Sequence, residues 1–401
     1  MSKTNRPWAV IDLFSGAGGM SYGFYVHPEF RLVGAADAQM GKPSTGHGTL
    51  GCNATYFENI GIRPVEADLS SADPSEVCES MGLGECRPTV LAACPPCTGF
   101  TRTLAYNHLR DDLRNSLVGK VALYAELLQP EIVFVENARE LVMGRFAKHL
   151  HALMADLERL GYRVLVGTHF LNQFGLPQKR ERALVIAVRK PLPLHSLPEL
   201  WTGLRLNQKA THVRHAIWEL PPVRAGETHP DDPMHISPAL RSELNRRRLA
   251  ATPHDGGGWV DLVDHPEAGE LLTPAMKYRA SIRDFGSHPD VYGRLWWDRP
   301  AVTIKRECGH IGNGRYTHPE QDRLCTVREM SIMQGFPRDY RFVGTLVNRY
   351  RHLGDAVPPL ISYQLAALSK WILTGARPSV EEIILPGCHL APDDVAAIPV
   401  L

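Results

Sequence analysis

"WAVIDLFSGAGGMSYGF", residues 8–24, is an apolar run that ends in a glycine turn and continues as a helical pattern. Residues 8–14 read as a buried strand. Gly16, Gly18 and Gly19 let the backbone approach a ligand closely, and the helix beyond offers unpaired N–H groups to a negative group. Asp37 closes the next strand, ~20 residues on, where an acid can hydrogen-bond a ribose. Asp68, in "VEADLS" after a third strand, is placed for an adenine amino group. The same turn suits a nicotinamide cofactor, or strand–helix packing with no ligand at all.

The texture continues to about residue 190. "RLVGAAD" (31–37), "TVLAAC" (89–94), "EIVFVEN" (131–137), "YRVLVGTHF" (162–170) and "RALVIAV" (182–188) read as buried strands. "LRNSLVGKVALYAELLQ" and "RFAKHLHALMADLERLG" carry apolar residues at helical spacing, the second closed by Gly161. Strand and helix in alternation predict an α/β fold, a parallel sheet with helices on both faces. From about 190 to 300 Pro, Gly, His and Trp replace periodic runs, which predicts a smaller loop-rich region. Helical patterns return in "LCTVREMSIMQGF" and "PPLISYQLAALSKWIL", and the Pro-rich tail after about 375 reads as peripheral.

Composition narrows the class. The chain has 401 residues, 44% hydrophobic and 22% charged, as in ordinary globular proteins. With a formal net charge of +1, any nucleic-acid surface has to be local. No apolar run approaches the ~20 residues of a membrane span, and the N-terminus passes into a strand without a signal-peptide cleavage site. Eight irregularly spaced cysteines do not look like a secreted disulfide framework, so the expected compartment is reducing cytoplasm.

Cys94 and Cys97, in "LAACPPCTGF" (91–100), admit three readings. A redox dithiol belongs to much smaller folds. A zinc site needs two further ligands, and no second C-x-x-C or H-x-x-x-H is present; no metal is expected. In the third reading Cys97, held by Pro95 and Pro96 past a strand end, is a nucleophile. The next strand brings Glu136 to the same edge, and open α/β sheets bind substrates there.

The order of these motifs resembles the DNA (cytosine-5) methyltransferase family along most of the chain. "DLFSGAGGMSYGF" looks like the family's cofactor motif and "PPC" its nucleophile loop. "DDLRNSLVGKVALYAELLQPEIVFVENA" resembles the segment leading into its Glu-Asn motif, and "FGLPQKRERALVIAV" its Gln-x-Arg-x-Arg motif. "HPEQDRLCTVREMSIMQGFP" and "GDAVPP" match its late motifs. The resemblance implies a Rossmann-like class I methyltransferase sheet in 1–190 and a target-recognition domain in 191–300. It places the late motifs and a helix returning to the catalytic domain in 301–375, and a peripheral tail in 376–401.

It further implies S-adenosylmethionine as cofactor, bound by Phe14, Ser15, Gly16, Gly18, Gly19, Asp37, Asp68, Asp355 and Ala356. Phe14 would stack on the adenine. Pro96, Thr98, Asn137 and Gln178 would touch a cytosine flipped out of double-stranded DNA. Cys97 would add to carbon 6 of the base, and Glu136 would hold a proton at ring nitrogen 3. Arg180 and Arg182 would steady the exocyclic oxygen, phosphate and thiolate, and residues 98–112 would form a lid. A monomer is expected, with a cognate restriction or defence system as a candidate partner. The family's tRNA branch carries a Cys-Phe-Thr signature that is absent here.

Three positions depart from the family pattern: Thr98 stands where Gln is usual, Cys94 where a small residue is usual, and Asp355 where Asn is usual. A carboxylate at 355 favours a cationic cofactor over an anionic one, or simply caps a helix. "RRR" (246–248) reads as phosphate contact or as a solvated helix face.

Overall fold

The computed structural model describes residues 7–42, 47–96, 117–143, 147–285 and 290–398. Cys97, Thr98 and the segment expected to act as a lid lie outside the described residues.

Seven strands form one sheet: β1 (Trp8–Leu13), β2 (Phe30–Asp37), β3 (Val65–Glu66), β4 (Val90–Ala93), β5 (Ile132–Ala138), β6 (Tyr162–Phe170) and β7 (Glu181–Arg189). Their order is β3-β2-β1-β4-β5-β7-β6. The first five are parallel, whereas β7 runs antiparallel to both β5 and β6. This last point corrects the all-parallel expectation. Only residues 171–180 join β6 to β7, too short a stretch for the crossover of a dozen or more residues that parallel neighbours need.

The central strands read as apolar runs because both faces are covered. Val10, Ala92, Phe134 and Ile186 face one core with α1 (Gly19–Val26), while Ile11, Ala93, Val135 and Val185 face the other. There they meet α3 (Leu117–Leu128) and α4 (Ala147–Arg159). In the chain α2 (Cys52–Ile60) comes between α1 and α3, and the later helices include α5 (Val327–Met333), α6 (Leu346–Asp355) and α7 (Pro359–Thr374). α7 lies on α1. A Cβ on Gly23 would stand 2.1 Å from the Tyr363 nitrogen, so only glycine permits this approach. Ser362 Oγ accepts from Gly23 N (3.1 Å) and donates to Gly19 O (2.9 Å), tying the two helices at their contact.

Two features of packing bear on how the rest of the chain is organised. Val213, Met234, Leu295 and Trp297 share one core with α5 and α6, so the apolar interior does not divide near residue 300. The tail packs as well. Ile383, Leu385 and Leu390 are buried in the core beneath α7, and Val395–Ala397 pairs antiparallel with Leu204–Leu206. Scattered Ile and Leu between prolines give no periodic signal, which is why the sequence conceals this. Of the 246–248 triplet, Arg246 and Arg247 lie on the surface and only Arg248 is buried. Arg246 pairs with Glu243, Arg247 with Glu267 and Glu270, and buried Arg248 donates to Leu271 O. Among the described residues, no helix is long and apolar enough to cross a membrane.

Candidate active site

The carboxyl edge of the sheet opens onto a cavity of about 370 Å³. β1, β2, β4 and β5 all end there, so Phe14, Asp37, Cys94 and Glu136 reach it from neighbouring strands. The late segment supplies the facing wall, with Gly354, Asp355, Ala356 and Val357.

On the glycine side, Phe14 leaves β1 at φ +59° and Gly16 sits at +52°. Gly16 N donates to Asp37 Oδ2 (2.9 Å), and Gln39 N donates to Asp37 Oδ1 (2.6 Å). Asp37 therefore fixes the turn, and each of its oxygens keeps further acceptor capacity. Nothing lies within 4 Å of where a Gly16 Cβ would be, so its backbone faces open space. Ser15 Oγ is buried in this wall without a hydrogen-bond partner among the described residues. Asp68 lines the same end and accepts from Ser70 N (2.9 Å). Gly19 lines the cavity, but Gly18 does not; its Cβ would meet Ile60 and the Tyr340 hydroxyl. Beneath the turn, burial pushes the Asp12 carboxyl up to about 7, against a hydrogen bond from Ser21 Oγ (2.7 Å).

On the other side, Cys94 N donates to Leu13 O (3.1 Å), and Asn137 Nδ2 donates to Pro95 O (3.0 Å). These two bonds hold Cys94 and Pro95 at the cavity, and Pro95 and Pro96 line it. Prolines cannot extend the β4 ladder, so the chain leaves the sheet here. Burial, reinforced by the Glu136 and Asp12 carboxylates, drives the Cys94 thiol well above its ordinary range. Cys94 is thus a protonated thiol in the wall, a poor nucleophile.

Glu136 stands on β5 opposite Leu184 of β7, and Arg182 opposite Ala138. Arg182 Nε lies 2.9 Å from Glu136 Oε1 as an ion pair. The N–H is not aimed at that oxygen, which has no hydrogen-bond partner among the described residues. A carboxylate held by charge, with an acceptor site still open, is suited to a ligand that donates a proton. Arg180 is buried and donates to Ile304 O (3.0 Å) and Ala356 O (3.1 Å), joining the strand edge to the late segment. Gln178 is not brought to the cavity. It is fully buried, with Nε2 donating to Gln334 Oε1 (2.5 Å) and Oε1 accepting from Ile304 N (2.9 Å). Its amide links late segments to each other.

Sequence reasoning missed Arg306 and His352, both in the wall. His352 bonds Leu50 O (2.9 Å) and Thr55 Oγ1 (3.1 Å), and burial holds its pKa down to about 4. Arg306 pairs with Asp355. About a third of the Asp355 side chain is open, and the residue lines the cavity. Burial of the rest raises its carboxyl to about 6 despite the guanidinium beside it. An acid in the place of the usual Asn was the one sequence signal that a cation stood near. Among the described residues no group of three or more His, Cys, Asp and Glu gathers to hold a metal ion.

The family model described as C-5 cytosine-specific DNA methylase matches residues 8–370. The type II methylase M.HgiDII of Herpetosiphon aurantiacus is 30% identical over 377 residues, covering 92% of this chain and 96% of its own. The type II methyltransferase M.AgeI of Thalassovita gelatinovora is 28% identical, with 90% and 98% covered. The crystal structure of the Dnmt2 methyltransferase of S. pombe superposes with a TM-score of 0.57 at 16% identity, over 91% of this chain and 99% of that one. At that identity the likeness speaks for the fold alone.

Proposed function

This chain belongs to the C-5 cytosine-specific DNA methylase family and is a DNA cytosine-5 methyltransferase, and on that premise we propose that it takes the methyl group from S-adenosylmethionine and works through a covalent Cys97 adduct. The observation that carries the proposal is the shared cavity. The glycine turn and Asp37 form one side, Glu136, Arg182 and the start of the "PPC" segment the other. A cofactor and a flipped base thus have one room.

The wall fits the cofactor. The Ser15 hydroxyl, unpartnered among the described residues, the open backbone of Gly16, the half-buried Phe14 ring and the carboxylates of Asp37 and Asp68 suit a nucleoside end. Asp355 and Ala356 lie across from them. When bound, S-adenosylmethionine supplies an electrophilic methyl group.

Carbon 5 of cytosine is too weak a nucleophile alone. The Cys97 thiolate adds to carbon 6, and the electron pair of the 5,6 double bond becomes available at carbon 5. Glu136 holds a proton at ring nitrogen 3, so the charge that addition would place on the ring is neutralised; Arg182 keeps the carboxylate in place. After carbon 5 is methylated, loss of its proton re-forms the double bond and expels the thiolate. The base has to leave the duplex first, at a cost of a few kcal/mol. In this reading residues 191–300 select the target. Partners and setting belong to the same proposal: a monomer on duplex DNA in the cytoplasm, with a cognate restriction or defence system alongside.

Nucleoside mass spectrometry after incubation with S-adenosylmethionine and mixed-sequence duplex DNA tests this. New 5-methylcytosine in DNA is expected. Methylated cytosine arising only in an RNA substrate would overturn it.

A further inference from the structure

The facing wall of the cavity carries an ion pair that the motif order does not contain. Arg306 follows the short strand Ala301–Val302, and its guanidinium reaches two targets. One Nη bonds Asp355 Oδ2; the other donates to Met40 O (3.1 Å) and Gly41 O (2.6 Å). Gly354 makes the approach possible, since a Cβ there would stand 2.2 Å from Arg306 N. Three chain segments thus meet at one guanidinium: the stretch just past β2, the end of α6 and residues 305–306. Arg306, Asp355 and Met40 all line the cavity.

The charges matter because the cavity is small and partly screened from water. Unit charges a few ångströms apart there interact by several kcal/mol at an effective dielectric of about 20. With Asp355 in place the Arg306 charge is matched. With the Asn that the family usually has at this position, this chain would turn an unmatched cation toward its cofactor. S-adenosylmethionine carries a sulfonium; its demethylated product, S-adenosylhomocysteine, has the same skeleton without that positive charge.

We propose that the Arg306–Asp355 pair sets the charge preference of the cofactor cavity, with Asp355 cancelling Arg306 so that the cationic cofactor is accepted over the neutral product. This rests on the S-adenosylmethionine reading above. Arg306 acts as a positioning residue through Asp355 and the 40–41 backbone, and Asp355 is the specificity-determining partner. Asp355 closes α6, where the unpaired backbone groups are carbonyls that a carboxylate cannot cap; a carboxylate that served only to hold Arg306 in place would affect both ligands alike.

The test is calorimetric titration of the intact protein at pH 8, without DNA, with S-adenosylmethionine and separately with S-adenosylhomocysteine. The readout is the ratio of their dissociation constants. Asp355→Asn is expected to raise Kd for S-adenosylmethionine relative to S-adenosylhomocysteine by about tenfold. Arg306→Gln is expected to shift the ratio the opposite way, and Arg306→Lys, which keeps the charge, to leave it within about twofold. Thermal unfolding of each variant confirms that folded protein is compared. A ratio unmoved in Asp355→Asn, or moved in the same direction by Asp355→Asn and Arg306→Gln, overturns the proposal. If the unsubstituted protein binds neither ligand, the cofactor reading itself fails, and that outcome is distinct from either.

Discussion

The seven-stranded sheet and the stretch from about 200 to 325 face the same problem, buried backbone polar groups, and meet it by different means. In the sheet, ladder hydrogen bonds satisfy the backbone, so the side chains between are free to be apolar; Val10, Ile11, Phe134 and Val135 are fully buried. The later stretch has little regular structure and few ladders. Its buried carbonyls are met by arginines instead. Arg294, fully buried, donates to the carbonyls of Leu249, Thr252, His318 and Gln321 and pairs with Asp322. Arg315 donates to Gly256 O, Gly257 O and Arg294 O. Arg323 donates to Val223 O and pairs with Glu329 at 2.7 Å. A guanidinium offers five donors in a fixed plane, enough to gather several loops at one point. The lesson concerns charge. Arginine in such a region is as much interior mortar as nucleic-acid surface.

The sharpest way to break this comparison is to remove charge from one interior and bulk from the other. Arg294→Met keeps the length and loses every donor, leaving several buried carbonyls unpaired at about 1–3 kcal/mol each. The expected loss in denaturant unfolding is on the order of 5 kcal/mol, and a loss below about 1 kcal/mol would abolish the distinction. Phe134→Ala in the sheet should cost about 3–5 kcal/mol, and Phe134→Leu should recover most of it, because there volume is what counts. If an apolar replacement rescued position 294 as well, the two regions would be alike.

A smaller and pH-dependent effect attaches to Glu329. Burial works to raise its carboxyl, but Arg323 beside it wins and holds it at about 2. A depressed acid stabilises the fold fully above its ordinary pKa near 4.5, and that contribution is lost as pH falls toward 2. Glu329→Gln should cost about 3 kcal/mol at pH 7, by leaving Arg323 buried without its counter-charge. The gap between variant and parent should narrow in urea unfolding at pH 3. An equal gap at both values would mean that the pair is not what titrates.

How much was legible follows from the same contrast. Strands buried on both faces are uninterrupted apolar runs, so β1, β2, β4, β5 and β7 could be read within a residue or two; β6 was placed as well, but as an edge strand it buries only Tyr162, not the whole run that the sequence suggested. The direction of β7 was hidden in the shortness of residues 171–180 rather than in any composition. Glycines announced a close approach, but not to what: Gly16 faces the cavity, whereas Gly18 and Gly23 yield to Tyr340 and to the α7 backbone. Gln178 shares a motif with Arg180 and Arg182, yet its amide is consumed inside the molecule. Arg306 could not be found at all, because its importance arises from carbonyls some 265 positions away in sequence. Loop-rich chain places its contacts by tertiary structure, and no periodicity records them.

The central claim is that Cys97, launched by "PPC" past the end of β4, bonds to the base. The most direct measurement uses duplex DNA in which 5-fluorocytosine replaces cytosine, with S-adenosylmethionine present. Fluorine cannot leave carbon 5 as a proton does, so the thiolate cannot be expelled and the adduct should persist. Mass spectrometry of the digested complex is expected to find one modified peptide, carrying the methylated fluoropyrimidine on Cys97, and none in Cys97→Ser. A stable adduct on Cys94, or normal 5-methylcytosine formation by Cys97→Ser on ordinary DNA, would contradict the account.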